Sequence, residues 1–175
     1  MTPLEQAIIM WIHLLAAAIW VGGSLFIGIV FSPLLKTMYG SIEERLQIMI
    51  KVGKRFNKIA VPSLIILIIT GLYNSHLLLS KPDLLMATSY GNFLIIKIIL
   101  VIALIITYII HVRVIRKDVE EKIMSKQMSP QQIQKLRKKI IILGEITVVL
   151  SVAILFLHLY LMLACEMPSI LTSNP

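Results

Sequence analysis

Four histidines interrupt a chain otherwise dominated by aliphatic side chains: His13, His76, His111 and His158. An imidazole inside a long apolar stretch costs free energy, so each is a candidate for chemistry by default. Neutral imidazole binds copper, zinc and haem iron. Met10 stands one helical turn before His13, and Met162 and Cys165 follow His158 at helical spacing. Imidazole, thioether and thiolate together suit Cu(I). The competing reading is plain: nine methionines in so apolar a chain fall beside histidines by chance, and a histidine at the end of a span also serves by meeting water or headgroups. That interfacial role fits His111, two residues from Arg113, and competes evenly for His76 beside Asn74. Two isolated charges complete the set, Lys97 and Glu145. Lys97 either snorkels to the surface or needs an anionic partner, such as a haem propionate; an ammonium gives a bare cuprous site nothing. Glu145 suits a cation or proton relay, or a hydrogen bond to the end of a neighbouring helix.

The elements that must position these groups are membrane helices. The chain has 175 residues, of which 58% are hydrophobic and 15% charged, with a mean hydropathy of +0.90. An ordinary soluble domain is about 45–50% apolar and about 25% charged, and a disordered chain is less hydrophobic still. Apolar spans are expected at about 7–35, 59–80, 92–112 and 140–165. Each reaches the roughly 20 residues that cross about 30 Å of hydrocarbon. The expected fold is therefore all-α, an integral membrane four-helix bundle forming a single domain over 1–175, with helical extensions into the cytoplasm.

Charge sets the expected orientation. Fifteen of the 17 lysines and arginines fall in the loops 36–58 and 113–139. By the positive-inside rule these loops are cytoplasmic, both termini lie outside, and the membrane is the cytoplasmic (inner) one. The net charge of +8 then reads as topology and attraction to the anionic lipid bilayer. No nucleic-acid partner is expected, because no aromatic and basic binding surface accompanies the charge. The first apolar run lacks a positive n-region and is too long for a cleaved signal peptide. A single cysteine allows no internal disulfide.

On this topology His13, His76 and His158 lie about 18–23 residues from the nearest inner basic residue, or about 27–35 Å up, in one layer near the outer face. Lys97 is about 24 Å up and Glu145 only about 9 Å, too far apart to pair. The loops carry start signals of their own. Ser41 and Glu44 form a capping box; Ile42, Leu46, Met49 and Phe56 recur at helical spacing, predicting a short amphipathic helix on the inner membrane surface. Ser129 and Pro130 predict that the last helix begins there and runs to about Cys165, leaving Glu166–Pro175 as a loose tail. The third helix is expected to extend past Arg116. Ala18/Gly22 and Ser24/Gly28 form small-xxx-small pairs that suit close helix packing or a homodimer seam. Trp20 reads as a belt or packing aromatic.

The stretch Trp11-Ile12-His13 with Ile19-Trp20-Val21-Gly22-Gly23 and Phe26 resembles the first helix of the CopD copper-resistance membrane domain. Arg55-Phe56 with Ile69-Thr70-Gly71-Leu72-Tyr73-Asn74 resembles its second helix, and Thr88-Ser89-Tyr90-Gly91 leading to Lys97 resembles its Thr-x-Tyr-Gly-x-x-Leu-x-x-Lys segment. The resemblance implies copper taken at the outer face, with His13, His158, Met10 and His76 as ligands, and a periplasmic copper-binding or redox partner. The His13 and Lys97 spacing is also similar to HemJ-type protoporphyrinogen oxidases. That resemblance implies haem b on two of His13, His76 and His158, with Lys97 on a propionate. The copper reading has few polar stations for a conduction path: Thr70, Asn74, Thr107, Thr147, Ser151 and Glu145.

Overall fold

The computed structural model describes residues 2–80, 83, 86, 88–115, 122, 123, 125 and 127–171, with the side chains at 77, 78, 89, 90 and 162–171 left aside. Helix α1 (Pro3–Leu25) starts at a reciprocal capping box between Thr2 and Glu5. It passes through a π-helical turn, Phe26–Phe31, into α2 (Ser32–Met38). There the Ser32 N–H reaches the Ile27 carbonyl five residues back. Pro33 supplies the reason, since it has no N–H for the carbonyl one turn earlier and its ring crowds that carbonyl; the wider turn relieves both. Helix α3 spans Ile42–Leu79, α4 Ser89–Val114 and α5 Pro130–Leu171.

Four segments are long and apolar enough to cross a bilayer: Pro3–Met38, Ile42–His76, Gly91–Val114 and Pro130–Leu161. The chain is an all-α membrane four-helix bundle. Its outward side chains are those a lipid solvent tolerates: Ile29, Val149 and Phe156 are each about two-thirds exposed. Helix α1 lies along α3 and α4 along α5, and the two pairs meet chiefly through α1 and α5.

The loops hold a departure from expectation. Residues 42–58 are not a separate surface helix; they are the first half of α3, which continues without a break through Pro62. The apolar face of this segment has a protein partner instead of lipid. Leu46 and Ile50 are the largest fully buried side chains, packed with Ile123, Ile133 and Ile140. At 1.5 Å per residue α3 is about 57 Å long, far more than the roughly 30 Å of hydrocarbon, so this second core stands beyond the apolar zone at the basic end. Helix α5 begins at Pro130 as expected, with Ser129 and Gln132 capping each other's N–H groups. It then runs on to Leu171, so the segment expected as a tail from Glu166 is helical. Helix α4 ends at Val114; the expected extension past Arg116 lies outside the described residues.

The core within the spans gathers around one indole. Trp20 packs with Ala60, Leu64 and Leu104. Its Nε1–H donates to Ser151 Oγ at 2.9 Å, and the Ser151 hydroxyl donates to the Thr147 carbonyl. Trp20 also stands edge-on to Tyr108, whose O–H donates to Asn57 Oδ1. One side chain thus links α1 to α5 and, through Tyr108, α4 to α3. Trp20 is not a belt residue at the membrane surface: it is 2% exposed.

Small residues divide into two kinds. A methyl group on Gly23 would overlap the Phe56 ring, whereas one on Gly22 would meet nothing within 4 Å. Gly23→Ala is expected to destabilise the detergent-solubilised protein by about 1–3 kcal/mol through overpacking, and Gly22→Ala to leave it unchanged or more stable. Thermal unfolding of the two variants side by side checks this. Ser151→Val strands the Trp20 N–H and is expected to cost about 1–2 kcal/mol. Thr107→Val, which loses only a bond to its own helix's Ala103 carbonyl, should cost less in the same assay.

Candidate metal centre

His13 is buried on α1, facing α3. Its Nδ1 lies 2.6 Å from Thr70 Oγ1. The Thr70 hydroxyl donates to the Ile66 carbonyl at 2.6 Å, so its oxygen can only accept from the ring. His13 therefore carries its proton on Nδ1 and keeps a lone pair on Nε2. The next residue, Gly71, lies beside the ring: a Cβ there would stand in ordinary contact, 3.7 Å from His13 Cε1. Orienting an imidazole through Nδ1 while leaving Nε2 available is how proteins present histidine to a metal.

His158 comes from α5. Its ring centroid is 5.2 Å from that of His13, with the planes tilted by 51°. Lys97 of α4 places Nζ 2.9 Å from His158 Nδ1. An ammonium has only donors, so Nδ1 accepts and the ring proton sits on Nε2. That Nε2 is buried with no hydrogen-bond partner. Lys97 neither snorkels nor meets a carboxylate; its partner is an imidazole. The start of α4 explains why it turns inward. Thr88 caps the helix by accepting from the Gly91 N–H, and this sets the phase that brings Lys97 round to α5. His13, Lys97 and His158 line a cavity of about 370 Å³ whose other walls are largely aliphatic, with Trp20 among them.

The remaining expected residues fall elsewhere. His76 is exposed near the end of α3, its Nδ1 2.6 Å from the Tyr73 carbonyl, and does not line the cavity. Met10 is half-buried one turn before His13 and is likewise not among the cavity-lining residues. The side chains of Met162 and Cys165 lie outside the described residues. Glu145 is exposed and borders a separate cavity with His111. Among the described residues no cluster of three or more His, Cys, Asp or Glu is close enough to hold an ion. Thr70 and Gly71 were missed as parts of the histidine site. Their adjacency in the Thr-Gly-Leu-Tyr run was the available signal.

The spacing discriminates between ligands. Two imidazoles bound to one ion at about 2.0–2.1 Å, with a bent angle at the metal, have centroids roughly 5 Å apart. Two axial imidazoles on opposite faces of a haem stand more than about 6 Å apart. The His13–His158 pair fits the first arrangement. A porphyrin does not fit between rings placed this way.

The comparisons with known proteins agree with part of this reading. An uncharacterized protein from Aquifex aeolicus (strain VF5) is 36% identical over 74 residues, a stretch that takes in 42% of this chain and 50% of that protein. The chain thus matches about half the length of that curated relative. No solved structure matches. The family model for copper resistance protein D matches residues 50–161, a region that holds Thr70, Gly71, Lys97, His111, Glu145 and His158 and leaves out His13 and Trp20. With well over half of its length matched, this multi-pass membrane protein belongs to the copper resistance protein D (CopD) family.

Proposed function

We propose that the protein binds cuprous copper as cargo between His13 and His158 and assists its transfer across the membrane. The observation that carries this reading is a pair of imidazoles from the first and last helices, 5.2 Å apart in a membrane cavity, with one of them oriented through Nδ1 by Thr70. Read by the positive-inside rule, the basic loops support an orientation with this end of the bundle on the outer side of the inner membrane, where a periplasmic copper-binding partner would deliver the ion. His13 offers Nε2 directly. His158 becomes a ligand when Lys97 releases Nδ1 and the ring proton moves there, which leaves the lone pair on Nε2.

Lys97 makes sense in a site that must let go. A cation about 3 Å from a ligand imidazole repels a second cation and competes for the ring. A carrier needs binding strong enough to load and weak enough to unload, and a fixed ammonium holds affinity down.

Two expectations follow, both measured by competing purified protein against a chromogenic Cu(I) chelator. His13→Ala abolishes the site, and Thr70→Val weakens it by about 10–100-fold through loss of the orienting bond. Unchanged binding in both variants would remove this reading, and a Soret band with sharp reduced α and β bands in the wild type would replace it with a haem protein. Lys97→Leu is expected to tighten Cu(I) binding by at least about tenfold, equivalent to about 1.4 kcal/mol, while slowing copper uptake into proteoliposomes. Weaker binding in that variant would count against the role given to Lys97.

A further inference from the structure

A second cavity, of about 390 Å³, lies on the basic-end side of Trp20, which forms a wall of both. His111 of α4, Met49 of α3 and Glu145 of α5 line it. The Nδ1 atom of His111 is buried with no hydrogen-bond partner. This is an unusual thing to leave inside a protein, because an unpaired buried polar atom costs about 1–3 kcal/mol. The polar groups of Asn57 and Thr147 line the same cavity and do not serve it. Asn57 Oδ1 accepts from the Tyr108 hydroxyl and the Thr147 hydroxyl donates to the Leu143 carbonyl, and neither is bonded to His111 Nδ1. The ring packs beside Gly144, where a Cβ would stand in ordinary contact at 3.7 Å from His111 Cε1. This echoes Gly71 beside His13.

We propose that this inner cavity is a second Cu(I) station, with His111 Nδ1 and the Met49 thioether as ligands and the Glu145 carboxylate at its open edge. Imidazole and thioether are the soft donor pair that Cu(I) selects, and a carboxylate balances the ion's charge where Lys97 opposes it at the outer site. His111 lies 14 residues along α4 from Lys97, so the two stations are about 20 Å apart across a hydrocarbon zone of about 30 Å. Trp20, held to Ser151, is the partition between them. The inner station rests on the copper reading and supplies the acceptor which that reading otherwise lacks.

The test is Cu(I) stoichiometry of the full-length protein in detergent, read by chelator competition and by X-ray absorption. The expected result is two ions in the wild type and one each in His13→Ala and His111→Ala. In His13→Ala the remaining ion should show a sulfur neighbour that Met49→Leu removes. His111→Gln, which keeps the side-chain bulk, should behave as His111→Ala, and a single gel-filtration peak at the wild-type volume certifies that each variant is folded. One ion in the wild type, lost in His13→Ala and kept in His111→Ala, overturns the inner station and leaves the outer one standing. One ion lost only in His111→Ala supports the inner station and overturns the outer. No bound Cu(I) in the wild type overturns both.

Discussion

Hydrocarbon offers no hydrogen bonds, so every polar group inside this bundle must find its partner within the protein. That constraint organises the interior. The hydroxyls of Ser24, Ser63, Thr107, Thr147 and Ser151 each donate to a carbonyl of their own helix. Once a hydroxyl has spent its proton in this way, its oxygen is left as an acceptor, and the structure uses such oxygens as docking points between helices. Ser151 receives the indole N–H of Trp20, and Thr70 receives the imidazole N–H of His13. The same device therefore ties α1 to α5 in the core and α1 to α3 at the site. Among the described residues the exceptions are two imidazole nitrogens, on His111 and His158, and each of these histidines lines a cavity.

Much of this was legible in the residues. Long uncharged runs have one low-energy form in lipid, so the four helices followed directly, and Ser129-Pro130 marked the start of the last one. Depth counting brought His13, Lys97 and His158 to one level, and the fold joins them there. It put His76 at that level too, but depth carries no information about rotation around a helix axis, and His76 points away. The surface helix expected at 42–58 failed for a related reason. An amphipathic stripe does not say whether its apolar face meets lipid or protein, and here α5 reaches down to cover it with Ile133 and Ile140. Met49, read as one residue of that stripe, instead borders a cavity.

Lys97 shows how a single charge can be read two ways. Taken alone, it calls for an anion. Placed beside His158 Nδ1, it determines which ring nitrogen carries the proton: Nδ1 accepts from the ammonium and Nε2 holds the hydrogen. The Thr-x-Tyr-Gly motif acquires a physical meaning with it. Thr88 caps α4 through the Gly91 N–H, and the rotational phase of the whole helix, including the direction in which Lys97 and His111 point, depends on where that cap falls.

The clamp between α3 and α5 at the basic end has mechanical leverage over the opposite end. Ile50 and Thr70 belong to one unbroken rod about 30 Å apart, and Ile140 and His158 to another of similar reach. The two rods are joined near the basic end; at the far end one carries Thr70, which docks His13 of α1, and the other carries His158. A splay of about 2° at the Leu46–Ile133 contact would move Thr70 and His158 by roughly 1 Å relative to each other over that length. A displacement imposed at the basic loops would therefore reach the histidine pair without touching it.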